Sequence, residues 1–362
     1  MDANLQSKKV PAQKRDVMIN PILIDALHIN MGGALMILNH LVDRLVDRDV
    51  DFVLLKDDRC PRLRSEDKVK RMEVMSCAES VRKRYYKAYR KDFKAILCLG
   101  NIPPAIKMPV PVHTYIHNVS LLDIPADYTL KSKIKSRLKR LYLRSLAKNT
   151  DTWIVQTSNT AEIVKRQLPC KNKRVLEYPF FFIPENMNRI PWEERRDYVF
   201  IGEETGAKGM RYLIEAWKIL SGLGFRKTLH LTTIAPELKD QIDDAIAAGA
   251  RINNHGRVDF DEVISLYNHS KAIIYPSLNE SLGLGIIEAA NAGCDIIGCD
   301  LPYLHAVCIP SASFKPCDSK SIAEAVLRYE KGSLPKTMLT ILDMSDKLID
   351  LIVKNHTPNA IK

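Results

Sequence analysis

An alternation that runs through the chain twice constrains its fold more than any other feature. Short apolar runs are followed by turns and then by segments of helical periodicity. The first series has an apolar run at 16–29, a helix at 34–48, strands at 50–55 and 69–75 and a tyrosine-rich helix. Strands at 95–99 and 110–117, a basic helix and a strand at 152–156 complete it. The second series has strands at 197–201, 228–233 and 271–275, with helices at 210–220, 237–248 and 260–269 between them. Such repeats specify parallel sheets with helices on both faces. A chain of 362 residues is longer than one ordinary core needs. We therefore expect two Rossmann-like halves, 16–180 and 181–335, joined at the proline-flanked segment around Phe180, after a loose basic tail at 1–15. A last helix is expected over 336–354, with an apolar face of Met338, Leu339, Ile341, Leu342, Leu348, Ile349, Ile352 and Val353.

One loop stands out in the second series. After the strand ending at Tyr275 come Pro276-Ser277-Leu278-Asn279-Glu280-Ser281-Leu282-Gly283-Leu284-Gly285, then a small-residue helix that Gly293 can close. Ser281, Gly283 and Gly285 let a ligand approach unpaired backbone N–H groups. Those groups and the helix dipole suit an anion such as a diphosphate. Glu280 and Glu288 flank the loop with seven residues between them. Carboxylates repel phosphate, so these two suit hydroxyl groups, from which they accept hydrogen bonds. Phosphate in the middle and hydroxyls at both ends describe a nucleotide sugar. A plainer reading stands beside it: Glu280 as a helix-entry charge, Glu288 on a solvated helix face.

Composition narrows the setting. Hydrophobic residues make up 46% and charged residues 27%, as in soluble globular proteins. No apolar run approaches the ~20 residues of a membrane span, and no secretory signal is present. Eight cysteines without Cys-x-x-Cys spacing argue against zinc and a disulfide framework. Cys294, Cys299, Cys308 and Cys317 read as small core residues, and a reducing, cytoplasmic setting is expected.

The net charge of +11 is unevenly placed. Between Lys131 and Lys148 stand eight basic residues and no acidic one, interleaved with Ile134, Leu138, Leu141, Tyr142, Leu143 and Leu146. A second basic stretch, from Arg82 to Lys94, carries Tyr85, Tyr86, Tyr89 and Phe93. Such segments fit either an anionic membrane surface or an ordinary amphipathic helix packed on a sheet. No nucleic-acid-binding motif accompanies the charge, so nucleic acid is not an expected partner.

The segment from Gly256 to Pro302 resembles the donor-binding half of the retaining glycosyltransferases of family 4. The resemblance rests on Pro276-Ser277, Glu280-Ser281, Gly283, Glu288-Ala289 and Gly293, which follow the family's Glu-seven residues-Glu context. It extends weakly before Phe180 and strongly from Asp197 to about Glu330. It implies an α/β chain of GT-B fold, two Rossmann-like domains with parallel sheets facing a central cleft. The C-terminal helix within 336–362 would cross back onto the first domain.

The resemblance also implies roles. Glu280 would contact the hydroxyls of the donor sugar and Glu288 the ribose. Backbone N–H groups of Ser281, Leu282, Gly283 and Leu284 would hold phosphate and sugar oxygens. Gly32 and Gly33 match a Gly-Gly loop near donor phosphate and acceptor. His117 matches a histidine facing the transferred sugar, with Asn118 where aspartate often follows; read by itself, a strand-end histidine is more often structural. Lys208 and Gly209, after Gly202, match a Lys-Gly pair that grips the diphosphate. The family's arginine near Gly202 is absent, and Glu203 and Glu204 stand near its place. Losing a cation removes about 1.5–3 kcal/mol of charge-assisted bonding to phosphate, unless Arg257 or Arg211 substitutes.

The expected catalytic residues are thus His117, Lys208 and Glu280, in a retaining transfer from a nucleoside-diphosphate sugar to a glycan or lipid-linked glycan of a surface polysaccharide. No cofactor is expected. Lys208 and a helix N-terminus neutralise the leaving group without a metal, and the Asp49-Val50-Asp51 pair is expected in solvent. A peripheral place on the inner membrane face is expected through the segment from Lys131 to Lys148. Three rivals remain: a sugar-nucleotide epimerase of the same fold, a non-catalytic nucleotide-binding partner, and a basic nucleic-acid-binding protein.

Overall fold

The structure, a computed structural model, describes residues 20–124, 128–183, 190–202 and 207–354. The tail at 1–15, Glu203 and Glu204 lie outside the described residues. The first series folds as β1 (Ile22–Ala26), α1 (Gly32–Asp47), β2 (Phe52–Asp57), β3 (Arg71–Met75), α2 (Glu79–Ala88), β4 (Ala95–Cys98) and β5 (Val112–Ile116). It continues through α3 (Leu130–Leu146), β6 (Thr152–Val155), α4 (Ser158–Gln167) and β7 (Arg174–Glu177). The second is β8 (Asp197–Phe200), α5 (Met210–Gly222), β9 (Leu229–Leu231), α6 (Lys239–Ala247), β10 (Ile252–Asn254), α7 (Phe260–His269), β11 (Ser270–Tyr275) and α8 (Leu284–Asn291). It ends in β12 (Asp295–Cys299), α9 (Pro302–His305), β13 (Cys308–Ile309), β14 (Ala312–Phe314), α10 (Ser319–Glu330), β15 (Met338–Leu339) and α11 (Ser345–Val353).

Two parallel sheets result, in the order β3-β2-β1-β4-β5-β6-β7 and β10-β9-β8-β11-β12-β14. The expected α/β class and paired Rossmann-like sheets hold. Central strands such as β1 and β11 are covered on both faces, which is why they are nearly continuous runs of apolar residues.

Two adjacent aromatics tie the halves together. Phe180 is buried in the core of the first sheet and Phe181 in that of the second. The chain's return runs beside them: Met344 N–H donates to the Pro179 carbonyl (2.7 Å) and Phe181 N–H to the Asp343 carboxylate (3.3 Å). Beyond it α11 buries Leu348, Ile349, Leu351 and Ile352 in the first core, while Arg48 pairs with Asp350 at 3.1 Å.

The structure corrects two expectations and separates two segments that the sequence left alike. The last helix begins at Ser345, not near 336. Asp295 accepts from the Thr337 N–H (2.9 Å) and from Lys336 (3.0 Å), and β15 pairs antiparallel with β13, which keeps this stretch extended. The two basic stretches also part company. Arg82 of α2 is turned inward, 2% exposed, and pairs with Asp25 at 2.7 Å. In α3, by contrast, Leu130, Ile134, Leu138 and Leu141 remain exposed. Finally, Cys294, Cys299 and Cys308 are buried, but Cys317 is at the surface with a φ of 58°. Among the described residues no helix is long and apolar enough to cross a membrane.

Candidate active site

Each sheet reverses its strand order once, between β1 and β4 in the first and between β8 and β11 in the second. Parallel sheets bind ligands outside the carboxyl ends of their strands at such a reversal. A cavity of about 390 Å³ lies there, lined from both halves. The first half contributes Gly33, His117 and Gln156, the second Ile201, Lys208 and the loop from Glu280 to Gly285, with Glu288 behind it.

Local bonding brings the central pair together. The Leu278 N–H donates to the Ala207 carbonyl at 2.7 Å, joining the loops after β8 and β11. Lys208 Nζ then lies 2.5 Å from Glu280 Oε1, which also accepts from the Tyr275 hydroxyl at 3.0 Å. Gly209 is required for this approach. Its φ is +69°, and a Cβ there would stand 2.4 Å from the Pro276 carbonyl oxygen. Three helices begin near this point, α1 after Met31, α5 after Gly209 and α8 after Gly283, and none has a side-chain cap. The first N–H groups of α1 and α8 can meet a ligand at the positive end of each helix dipole. Glu288 is 8% exposed, not on a solvated face, and burial pushes its pKa up to about 7.

His117 sits at the end of β5. Its backbone N–H and that of Asn118 both donate to Asn101 Oδ1, at 2.8 and 2.9 Å, and its Nε2 lies 2.7 Å from Asn101 Nδ2. Desolvation lowers its pKa to about 4. From the other half, Ser281 Oγ donates to the His117 carbonyl at 2.6 Å. The Ser281 carbonyl accepts from the hydroxyls of Thr157 (3.0 Å) and Thr160 (3.1 Å), and Asn279 Nδ2 donates to the Asp123 carbonyl at 2.5 Å. The loop after β11 is thus held against the first half by side-chain bonds.

Of the residues singled out in the sequence, Gly33, His117, Lys208, Glu280, Ser281, Leu282, Gly283, Leu284 and Glu288 line the cavity. Gly32, Gly202, Gly209 and Arg257 do not. Gly202 donates its N–H to Thr232 Oγ1 at 3.2 Å. Arg257 is exposed and follows β10, the sheet's edge strand, two strands from the reversal. Arg211 is exposed too and donates to the Tyr212 hydroxyl at 2.8 Å. Neither arginine replaces the absent one at the cavity wall. Among the described residues Lys208 is the one lysine or arginine in the lining.

Sequence reasoning missed Gln156, 1% exposed at the end of β6, together with Asn101, Thr157, Thr160 and Asn279. The rule that ligands bind beyond the carboxyl ends of parallel strands would have selected Asn101 and Gln156, which follow β4 and β6 as His117 follows β5. Among the described residues no cluster of three or more His, Cys, Asp or Glu side chains is placed to hold a metal. Asp49 and Asp51 each accept from Lys70 at 3.1 Å, on the surface.

Two facing Rossmann-like domains with a polar crevice at both strand-order reversals define the GT-B glycosyltransferase fold. Residues 195–331 match the family described as Glycosyl transferases group 1. A segment of 75 residues is 35% identical to the O-antigen chain mannosyltransferase RfbU of Salmonella typhimurium, covering 20% of this chain and 21% of that protein. Among solved structures, the sucrose-phosphate synthase of Thermosynechococcus elongatus is similar with a TM-score of 0.66 and 14% identity, over 86% of this chain and 90% of that one. WaaG, a glycosyltransferase involved in lipopolysaccharide biosynthesis, is similar with a TM-score of 0.65 and 13% identity, over 91% of this chain and 99% of that one.

Proposed function

We propose that this chain is a retaining, metal-independent glycosyltransferase that moves a sugar from a nucleoside-diphosphate sugar to a glycan or lipid-linked glycan in surface-polysaccharide synthesis. The observation that carries the reading is the Lys208–Glu280 pair at 2.5 Å, facing a cavity shared by both halves. An arriving diphosphate competes for the lysine and releases Glu280 to accept hydrogen bonds from the sugar. The bond from the sugar carbon to diphosphate oxygen breaks, and Lys208 with the helix N-termini neutralises the charge that collects on the leaving group. The acceptor hydroxyl attacks from the face the diphosphate leaves, and a diphosphate oxygen takes its proton. Glu280 stays non-covalent, engaged with hydroxyls. The buried Glu288 holds the ribose.

The lipid-linked acceptor and a peripheral membrane position are supported by α3. Leu130, Ile134, Leu138 and Leu141 recur at helical spacing, exposed, on a helix flanked by lysines and arginines. The similarity to proteins named for O-antigen and lipopolysaccharide synthesis points the same way.

The test is a thermal-shift screen with UDP, GDP, ADP, CMP and dTDP sugars, followed by product analysis with the donor that binds. A ligand at 100 times its Kd adds about 2.7 kcal/mol of stability. Glycosylated acceptor plus free nucleoside diphosphate supports the reading. Free epimerised sugar nucleotide would point to the epimerase, and nucleotide affinity without turnover of any bound donor to the non-catalytic nucleotide-binding partner.

A further inference from the structure

The surroundings of His117 define its protonation state. Asn101, 6% exposed, follows β4 with a φ of +67°, a left-handed conformation that asparagine tolerates. The next two residues are anchored, since the buried Arg82 donates to the carbonyls of Ile102 (2.7 Å) and Pro103 (3.0 Å). Two backbone N–H donors, of His117 and Asn118, converge on one end of the Asn101 amide. Donors face an oxygen, so this fixes which end of the amide is which. The other end, at 2.7 Å from His117 Nε2, is the NH2 group. It has protons to give and accepts none, so Nε2 must present a lone pair. The imidazole proton is then on Nδ1.

We propose that Asn101 is a positioning residue that holds His117 as a neutral Nδ1–H imidazole, so that the histidine serves a bound sugar as a hydrogen-bond donor and neither as a base through Nε2 nor as a cation. Its functional half rests on the glycosyl-transfer reading. Departure of a diphosphate leaves positive charge on the sugar ring, as in other glycosyl transfers. An imidazolium beside that ring would oppose the reaction, whereas a neutral N–H orients a hydroxyl without that penalty. A proton on Nε2 would be set against the amide NH2, and burial disfavours the charged ring further. The other ionisable side chains of the cavity wall are Lys208 and Glu280, which pair with each other, the buried Glu288, and the Tyr267 and Tyr275 phenols.

The experiment is long-range ¹H–¹⁵N NMR on the full chain labelled in histidine, with His117 assigned by its loss in His117→Gln. The Nδ1–H pattern, unchanged from pH 8 to about pH 5.5, is expected. An Nε2–H pattern, or titration near the ordinary value of about 6.5, would overturn the proposal. Asn101→Asp keeps the backbone conformation and an oxygen for the two N–H groups, but sets an acceptor against Nε2. The proton should move to Nε2, the titration midpoint should rise, and transfer should fall by about tenfold or more in kcat. A folded Asn101→Asp chain that keeps the Nδ1–H pattern would also overturn it, and if that variant fails to fold the native spectrum decides alone. An Nδ1–H spectrum from a chain that transfers no sugar would sink the transferase reading and leave the tautomer assignment standing.

Discussion

Ser281 Oγ donates to the backbone carbonyl of His117 at 2.6 Å, so the loop after β11 in one domain is bonded to the strand-end histidine of the other. The bond crosses the cleft. It sets the distance between the groups that would hold the diphosphate and those that would face the sugar. Ser281→Ala removes it and leaves the His117 carbonyl without that donor. We expect a stability loss of about 0.5–1.5 kcal/mol and a donor KM raised more than kcat is lowered. Chemical denaturation and initial rates read the two effects separately.

Lys208 is expected to contribute mainly in the transition state, where leaving-group charge is greatest. Lys208→Ala should lower kcat by about 10²–10³-fold, the usual cost of removing a preorganised charge-stabilising group. Nucleoside-diphosphate affinity, read by calorimetry, should also fall. Unchanged affinity and rate would mean that the diphosphate does not lie at Lys208.

Glu288 should make stability and donor binding depend on pH. Burial raises its pKa from the ordinary 4.5 to about 7. Between those values the folded chain holds a proton that the unfolded chain has lost, so stability falls as pH rises through that window and levels off above it. The full effect is on the order of 3 kcal/mol, and Glu288→Gln should abolish it. Denaturation midpoints from pH 4.5 to 8 test this. If the ionised form accepts from ribose hydroxyls, donor KM should fall as pH rises through about 7 in the native chain and stay flat in Glu288→Gln.

The exposed face of α3 gives a prediction without a structural cost. Ile134 and Leu138 are 49% and 62% exposed. Ile134→Glu combined with Leu138→Glu should change stability by no more than about 1 kcal/mol, since surface substitutions rarely exceed ~0.5 kcal/mol each. Co-sedimentation with vesicles containing anionic lipid should drop sharply at low salt. Equal sedimentation of native chain with anionic and neutral vesicles would remove the membrane reading.

Much of the architecture was legible because central parallel strands are buried on both faces and appear in sequence as nearly continuous apolar runs, as in β1, β4 and β11. Edge strands carry a weaker mark, and of these β3 alone was foreseen, within 69–75. β7 is Arg-Val-Leu-Glu and β10 is Ile-Asn-Asn, and both went unforeseen because an edge buries little side chain. Local chemistry likewise singled out the loop from Glu280 to Gly285, since glycine, small residues and a helix start announce themselves within a few positions, and the family resemblance singled out Lys208; both line the cavity. Only the tertiary structure decided the rest. Residues more than a hundred positions apart meet across the cleft, as Ser281 does with Thr157 and His117. Arg82 turns inward to anchor the segment beside Asn101 while α3 keeps Leu130, Leu138 and Leu141 in solvent, and Arg257 is left at a sheet edge away from the cavity. A charge or an amide has the same letter on a surface as in a core. Its solvation and its partners, and therefore its protonation state, exist only once the chain is folded.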